Sequence, residues 1–86
     1  MNINREYVMR EIAGDTILIP VGDTINNFNG LIVLNEIAKF IWEKMPDVKD
    51  EDELLDCILS EYEVEEDIAK NDLNEFLEML RKENII

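Results

Sequence analysis

The sequence predicts an α+β domain arranged as a winged helix-turn-helix, with three strands in its first third and three α-helices after them. Three observations predict it. Up to Leu34 the apolar residues come in short β-branched runs separated by glycine-containing turns. After Asn35 they recur at a helical spacing. No repeat, linker or low-complexity segment divides the 86 residues, so the expectation is one domain over residues 1–86.

The first strand is read over Tyr7–Ile12 and the second over Thr16–Val21, with Ala13-Gly14-Asp15 as a tight hairpin turn between them. Pro20 donates no ladder hydrogen bond, which places it near a strand end or on an edge. Asn29-Gly30 marks a second turn, because both residues accept positive φ. Leu31-Ile32-Val33-Leu34 follows as the third strand and is apolar on both faces. Either its own chain buries both faces, as in a central strand, or something else comes close to one of them.

Ile37, Ala38, Ile41, Trp42 and Met45 then form one stripe of a first helix, with Asn35 as N-cap and Pro46 as its stop. Asp50 followed by Glu53 reads as a capping box for a second helix, whose stripe is Leu54, Leu55, Ile58, Leu59 and Tyr62. Glu65-Glu66-Asp67 opens a third helix, since acidic side chains favour the positive end of the helix dipole. Its core stripe is Ala69, Leu73, Phe76, Leu77 and Leu80, and it ends at Asn84, a residue that accepts the left-handed cap. Phe40 falls off the stripe of its helix and either packs under the first strand or belongs to a contact surface for a partner.

Composition narrows the function. Hydrophobic residues make up 47% of the chain, too many for a disordered acidic tail despite a net charge of −13. Fourteen of the 21 acidic residues lie between Asp47 and Glu78, a surface that repels phosphate backbones and anionic headgroups and attracts basic partners. The N-terminus has no apolar h-region and no apolar run approaches the ~20 residues needed to span a bilayer. One cysteine, Cys57, forms no intrachain disulfide and suits a reducing compartment. The expectation is a cytoplasmic domain that does not engage a membrane.

The residues for catalysis are missing. Histidine, the commonest general base and metal ligand, is absent from the chain. Cys57 falls off the stripe of its helix beside Asp56, whose charge disfavours a thiolate, and reads as a spectator. A calcium loop starting at Asp47 fails at Lys49 and at Asp52, where the turn needs glycine. Gly14, Gly22 and Gly30 are too far apart to cradle a phosphate. Ser60, in Leu59-Ser60-Glu61, lacks the context of a carrier-protein attachment serine. As a recognition helix the third helix would carry Glu65, Glu66, Asp67, Asp72, Glu75 and Glu78 against Lys70 alone, so it cannot release counterions from a duplex. The expectations are no enzyme activity, no metal or cofactor and no nucleic acid.

Arg10-Glu11-Ile12-Ala13-Gly14, Leu18-Ile19-Pro20-Val21-Gly22, Phe28 through Glu36 with its Asn29-Gly30, and Ile41-Trp42 form an ordered set that closely resembles the PqqD-like family. Asp72 through Leu77 and Leu80 to Ile86 continue it, so the likeness runs from about Tyr7 to Ile86. One departure is Asn84, where the family usually has a glycine; asparagine tolerates the same backbone conformation. The resemblance implies a three-stranded antiparallel sheet with three helices that recognises ribosomally made, enzyme-modified peptides. It further implies that the leader of a precursor peptide docks as an added strand beside the third strand, against the last helix. The partner so implied is a modifying enzyme, frequently a radical S-adenosylmethionine (SAM) protein.

The helical wheel agrees with that placement. Ile68, Asp72, Glu75 and Met79 lie along one fringe of the third helix beside its core stripe. Facing an apolar third strand, this fringe makes a groove with an acidic contact; alternatively Met79 only shields the core edge and Asp72 is solvated. The candidate peptide-binding residues are therefore Leu31, Ile32, Val33, Leu34, Ile68, Asp72, Glu75, Phe76 and Met79. The sequence leaves open whether Ile32 or Val33 directs its N–H at the peptide. The competing function is a structural or regulatory winged-helix module that acts by dimerising or docking.

Overall fold

The computed structural model describes residues 7–21 and 32–86. The Asn29-Gly30 turn and Leu31 lie outside the described residues. Strand β1 (Tyr7–Ile12) pairs antiparallel with β2 (Asp15–Pro20) in a register that runs from Ile12 opposite Asp15 to Tyr7 opposite Pro20. The turn contains only Ala13 and Gly14, at φ 52° and 86°, the two-residue type that matches strand twist. Asp15 therefore belongs to β2 rather than to the turn, and β2 ends at Pro20, one residue short of the expected Val21. Ala13 in the left-handed region costs about 1 kcal/mol, which the closed hairpin ladder has to offset.

Strand β3 (Ile32–Leu34) pairs antiparallel with β2, and the sheet order is β1-β2-β3. Among the described residues β3 is thus an edge, not a central strand. Pro20 sits at the end of β2, where a missing N–H is least costly. One sheet face, carrying Tyr7, Leu18 and Leu34, packs into the core with Ile32 against its margin. On the opposite face Val33 stands across from Ile17 and is 62% exposed, so the described chain does not bury both faces of β3.

Helix α1 (Glu36–Lys44) starts where Asn35 accepts the Ala38 N–H at 2.8 Å. Pro46 ends it by entering a 3₁₀ turn, Met45–Asp47, in which a missing N–H is tolerated. In α2 (Glu51–Glu61) Asp50 accepts the Glu53 N–H at 3.0 Å. The Glu53 carboxylate reaches back to the N–H of Lys49 at 3.4 Å, one residue earlier than a reciprocal capping box would have it. Helix α3 (Glu66–Lys82) buries all five residues of its expected stripe. It closes with Asn84 at φ 59°, whose N–H donates to the Arg81 carbonyl while the Ile85 N–H donates to that of Leu80. This is a Schellman cap, and its apolar contact is the fully buried Leu80–Ile85 pair.

The three helices cover one face of the sheet, and no polar side chain is buried among the described residues. Each fully buried aliphatic or aromatic side chain contributes roughly 1.5–3 kcal/mol. The Phe40 ring packs at the core margin, where it meets Tyr62 edge-on at 5.3 Å with Lys44 Nζ 5.6 Å from its centroid. Burial there pushes the Tyr62 phenol up, and the nearby Glu36, Glu61 and Glu43 add to the shift. Cys57 is half-buried against the core margin. No helix among the described residues is long and apolar enough to cross a membrane.

Candidate functional site

The open side of β3 is defined by hydrogen-bond parity. In a two-residue hairpin the flanking residues, here Ile12 and Asp15, exchange hydrogen bonds. Backbone groups alternate in direction along a strand, so Asp15, Ile17 and Ile19 point toward β1, while Thr16 and Leu18 point toward β3. Their partners Leu34 and Ile32 face β2 in return. Val33, opposite Ile17, therefore directs its N–H and C=O away from the sheet. This resolves the choice the sequence left open: Val33, not Ile32, presents backbone groups at the edge that are unpaired among the described residues.

Beside that edge lies a groove of about 230 Å³ between β3, the first two turns of α1 and the exposed flank of α3. Val33 forms one wall, Asp72, Glu75 and Phe76 form another, and Asn35, Ile37, Ala38 and Ile41 close it. The groove borders β3 because α1 follows the strand after Asn35 alone, so its opening turns adjoin the strand end. Asn35 has two positions in this arrangement: its side chain caps α1 and also lines the groove.

The candidate residues divide into three groups. Val33, Asp72, Glu75 and Phe76 meet in the one groove. Ile32 and Leu34 turn their side chains toward the core and Met79 packs at its margin, so none of the three lines the groove. Ile68 stays 52% exposed one turn before Asp72, outside the lining, and Leu31 is outside the described residues. Ile37, Ala38 and Ile41 were legible only as core stripe. The signal for their second role is the short β3–α1 connection.

The polar side of the groove is acidic and lightly engaged. Asp72 is half-buried, and among the described residues no hydrogen bond or ion pair holds its carboxylate. Glu75 Oε1 accepts one long bond, 3.4 Å, from Asn71 Nδ2. Two cations are held outside the groove: Arg81 pairs with Glu51, and Lys39 Nζ holds Glu11 at 2.8 Å. That pairing keeps the Glu11 carboxyl below its ordinary range and raises the Lys39 ammonium. Among the described residues, no group of three or more Cys, Asp or Glu is placed to hold a metal ion.

The structure of TbiB1 in complex with the TbiA(beta) leader peptide is similar, with a TM-score of 0.74 and 24% identity, covering 99% of this chain and 93% of that one. Lasso peptide synthetase B1 complexed with the leader peptide is also similar, with a TM-score of 0.72, 20% identity and coverage of 98% and 93%. At these identities the likeness is one of fold. The search of curated proteins found no match. A family model described as coenzyme PQQ synthesis protein D (PqqD) matches residues 7–86. With the match running from Tyr7 to the last residue, this chain belongs to the PqqD family.

Proposed function

We propose that this chain is a non-catalytic adaptor that takes up the leader of a ribosomally made precursor peptide as a fourth strand beside β3. The observation that carries the reading is the outward-facing backbone of Val33, placed directly against a groove with an apolar floor and an acidic side. A strand edge offers main-chain hydrogen bonds to any extended peptide, and the adjoining groove selects among side chains. Two proteins of similar fold, whose structures hold leader peptides, support the same use of this fold. The absence of histidine from the sequence fits a binding role rather than a chemical one.

The bound leader would be handed to a modifying enzyme, and the resemblance makes a radical SAM protein the expected recipient. Its attachment to the acidic α2–α3 surface would call for a basic counterpart. The direct test is calorimetric titration of the full chain with the synthetic leader of the precursor encoded beside its gene. Saturable one-to-one binding supports the adaptor reading, and no heat at high peptide concentration refutes it.

A second copy of the chain is the competing occupant, because two exposed edges can pair with each other. The 62% exposure of Val33 keeps that reading in play. Sedimentation with and without leader separates the two. A dimer that the peptide fails to dissociate or bind supports the structural-module reading instead.

A further inference from the structure

We infer that the groove selects an extended segment carrying a Lys or Arg and a large apolar residue two positions apart, flanking a residue that packs on Val33. The inference rests on the added-strand reading above and says which peptides that strand can be. In an added strand, the residue opposite Val33 shares the sheet face of Val33 and Ile17, and its two neighbours turn to the helix-bearing face. Those neighbours stand roughly 6.8 Å apart, two strand rises of about 3.4 Å. On α3, Asp72 and Phe76 are one turn apart, four rises of about 1.5 Å, or roughly 6 Å. The two spacings match, so the two neighbours can meet two different parts of the groove.

The parts differ in chemistry. Phe76 is buried and lines the groove together with Ile37, Ala38 and Ile41 of α1, an aliphatic and aromatic surface that suits one large apolar side chain. Asp72 and Glu75 form the other part, with the Asp72 carboxylate free of any partner among the described residues. A cation there gains two carboxylates at once and removes their mutual repulsion, whereas an acidic residue adds to it. The middle residue meets Val33 across the strand pair, a position that favours β-branched side chains. The pattern can run in either chain direction, since both parallel and antiparallel addition keep the alternation.

The test selects a displayed library of random twelve-residue peptides on the immobilised full chain. Enriched peptides should carry Lys or Arg two positions from Leu, Ile, Met or an aromatic residue. One such peptide, labelled, is then titrated by fluorescence polarisation against the wild type and against Asp72→Asn with Glu75→Gln. Each half-exposed ion pair is worth roughly three- to fivefold in affinity, so the double substitution should weaken binding about tenfold. It should leave unchanged a peptide whose cation is replaced by norleucine. Asp52→Asn with Glu63→Gln removes the same charge from exposed sites away from the groove and should have little effect, which separates the groove from the general field of an acidic protein. Peptides enriched without the cation, or equal losses from both double variants, overturn this inference while leaving the added-strand reading in place. Failure to enrich any peptide overturns the added-strand reading and this inference with it.

Discussion

Proline placed at Ile32 or at Val33 removes one N–H from β3 in either case, yet the register predicts opposite outcomes. At Ile32 the lost N–H points at β2, opposite Leu18. Losing that ladder bond costs about 1 kcal/mol, and leaving a buried carbonyl unpaired adds roughly 1–3 kcal/mol. Removing an isoleucine side chain from the core margin adds about 1 kcal/mol more. The sum, on the order of 3–5 kcal/mol, is a large share of the roughly 5–15 kcal/mol that holds a small domain together. At about 4–8 °C per kcal/mol, the melting temperature should fall by about 12 °C or more. At Val33 the lost N–H faces solvent and the side chain is mostly exposed, so the cost is about 1 kcal/mol and a few degrees. The peptide, however, loses a hydrogen bond at the centre of its pairing and meets the proline ring there, which should weaken it by at least about tenfold. Thermal melts by circular dichroism, paired with leader titrations, read both quantities. If Val33→Pro melts below Ile32→Pro, or binds leader as the wild type does, the parity argument is wrong.

Three further outcomes follow from the local geometry. Asn84→Gly should be close to neutral, while Asn84→Ala should lose about 1 kcal/mol, because φ 59° is strained for any residue with a plain Cβ; denaturant melts compare them. Asn35→Ala should cost about 1 kcal/mol by freeing the Ala38 N–H, and should loosen the groove wall that Asn35 lines, so leader affinity falls along with stability. Glu11→Gln tests the bridge to Lys39 through pH. The folded-state pKa of Glu11 is lowered, so its contribution is present above the unfolded value and vanishes as pH falls through the folded one. Lys39 is raised, so its share persists below the unfolded value and is lost as pH rises through the folded one. Urea melts across pH should show a small gap between wild type and Glu11→Gln that is widest near neutrality and closes at both extremes.

Much of this architecture was legible because α3 is strongly two-sided: Ala69, Leu73, Phe76, Leu77 and Leu80 repeat at helical spacing, and all five are buried. The caps at Asn35, Asp50 and Asn84 were equally readable, since each rests on a local hydrogen bond or backbone angle that one side chain decides. Val48 and Ile85 are buried yet belong to no periodic run, so pattern alone gave no reason to place them inside. The contact that Phe40 makes is illegible for a related reason. Its partner Tyr62 lies at the end of another helix, and a contact between helices leaves no spacing in the sequence. The acidic half of the groove could be read from the wheel of α3. Its apolar floor could not, because Ile37, Ala38 and Ile41 satisfy the core pattern whether or not one flank stays open.

Amide hydrogen exchange with and without leader peptide tests the added-strand account most directly. Strand β3 supplies the decisive probe, because among the described residues the Val33 N–H has no partner while those of Ile32 and Leu34 are already held by β2. Peptide binding should slow exchange at Val33 far more than at its two neighbours, with secondary protection along Asp72–Phe76 where the groove closes over the ligand. Protection confined to α1 or α2, with Val33 exchanging as fast as in the free protein, would contradict the account.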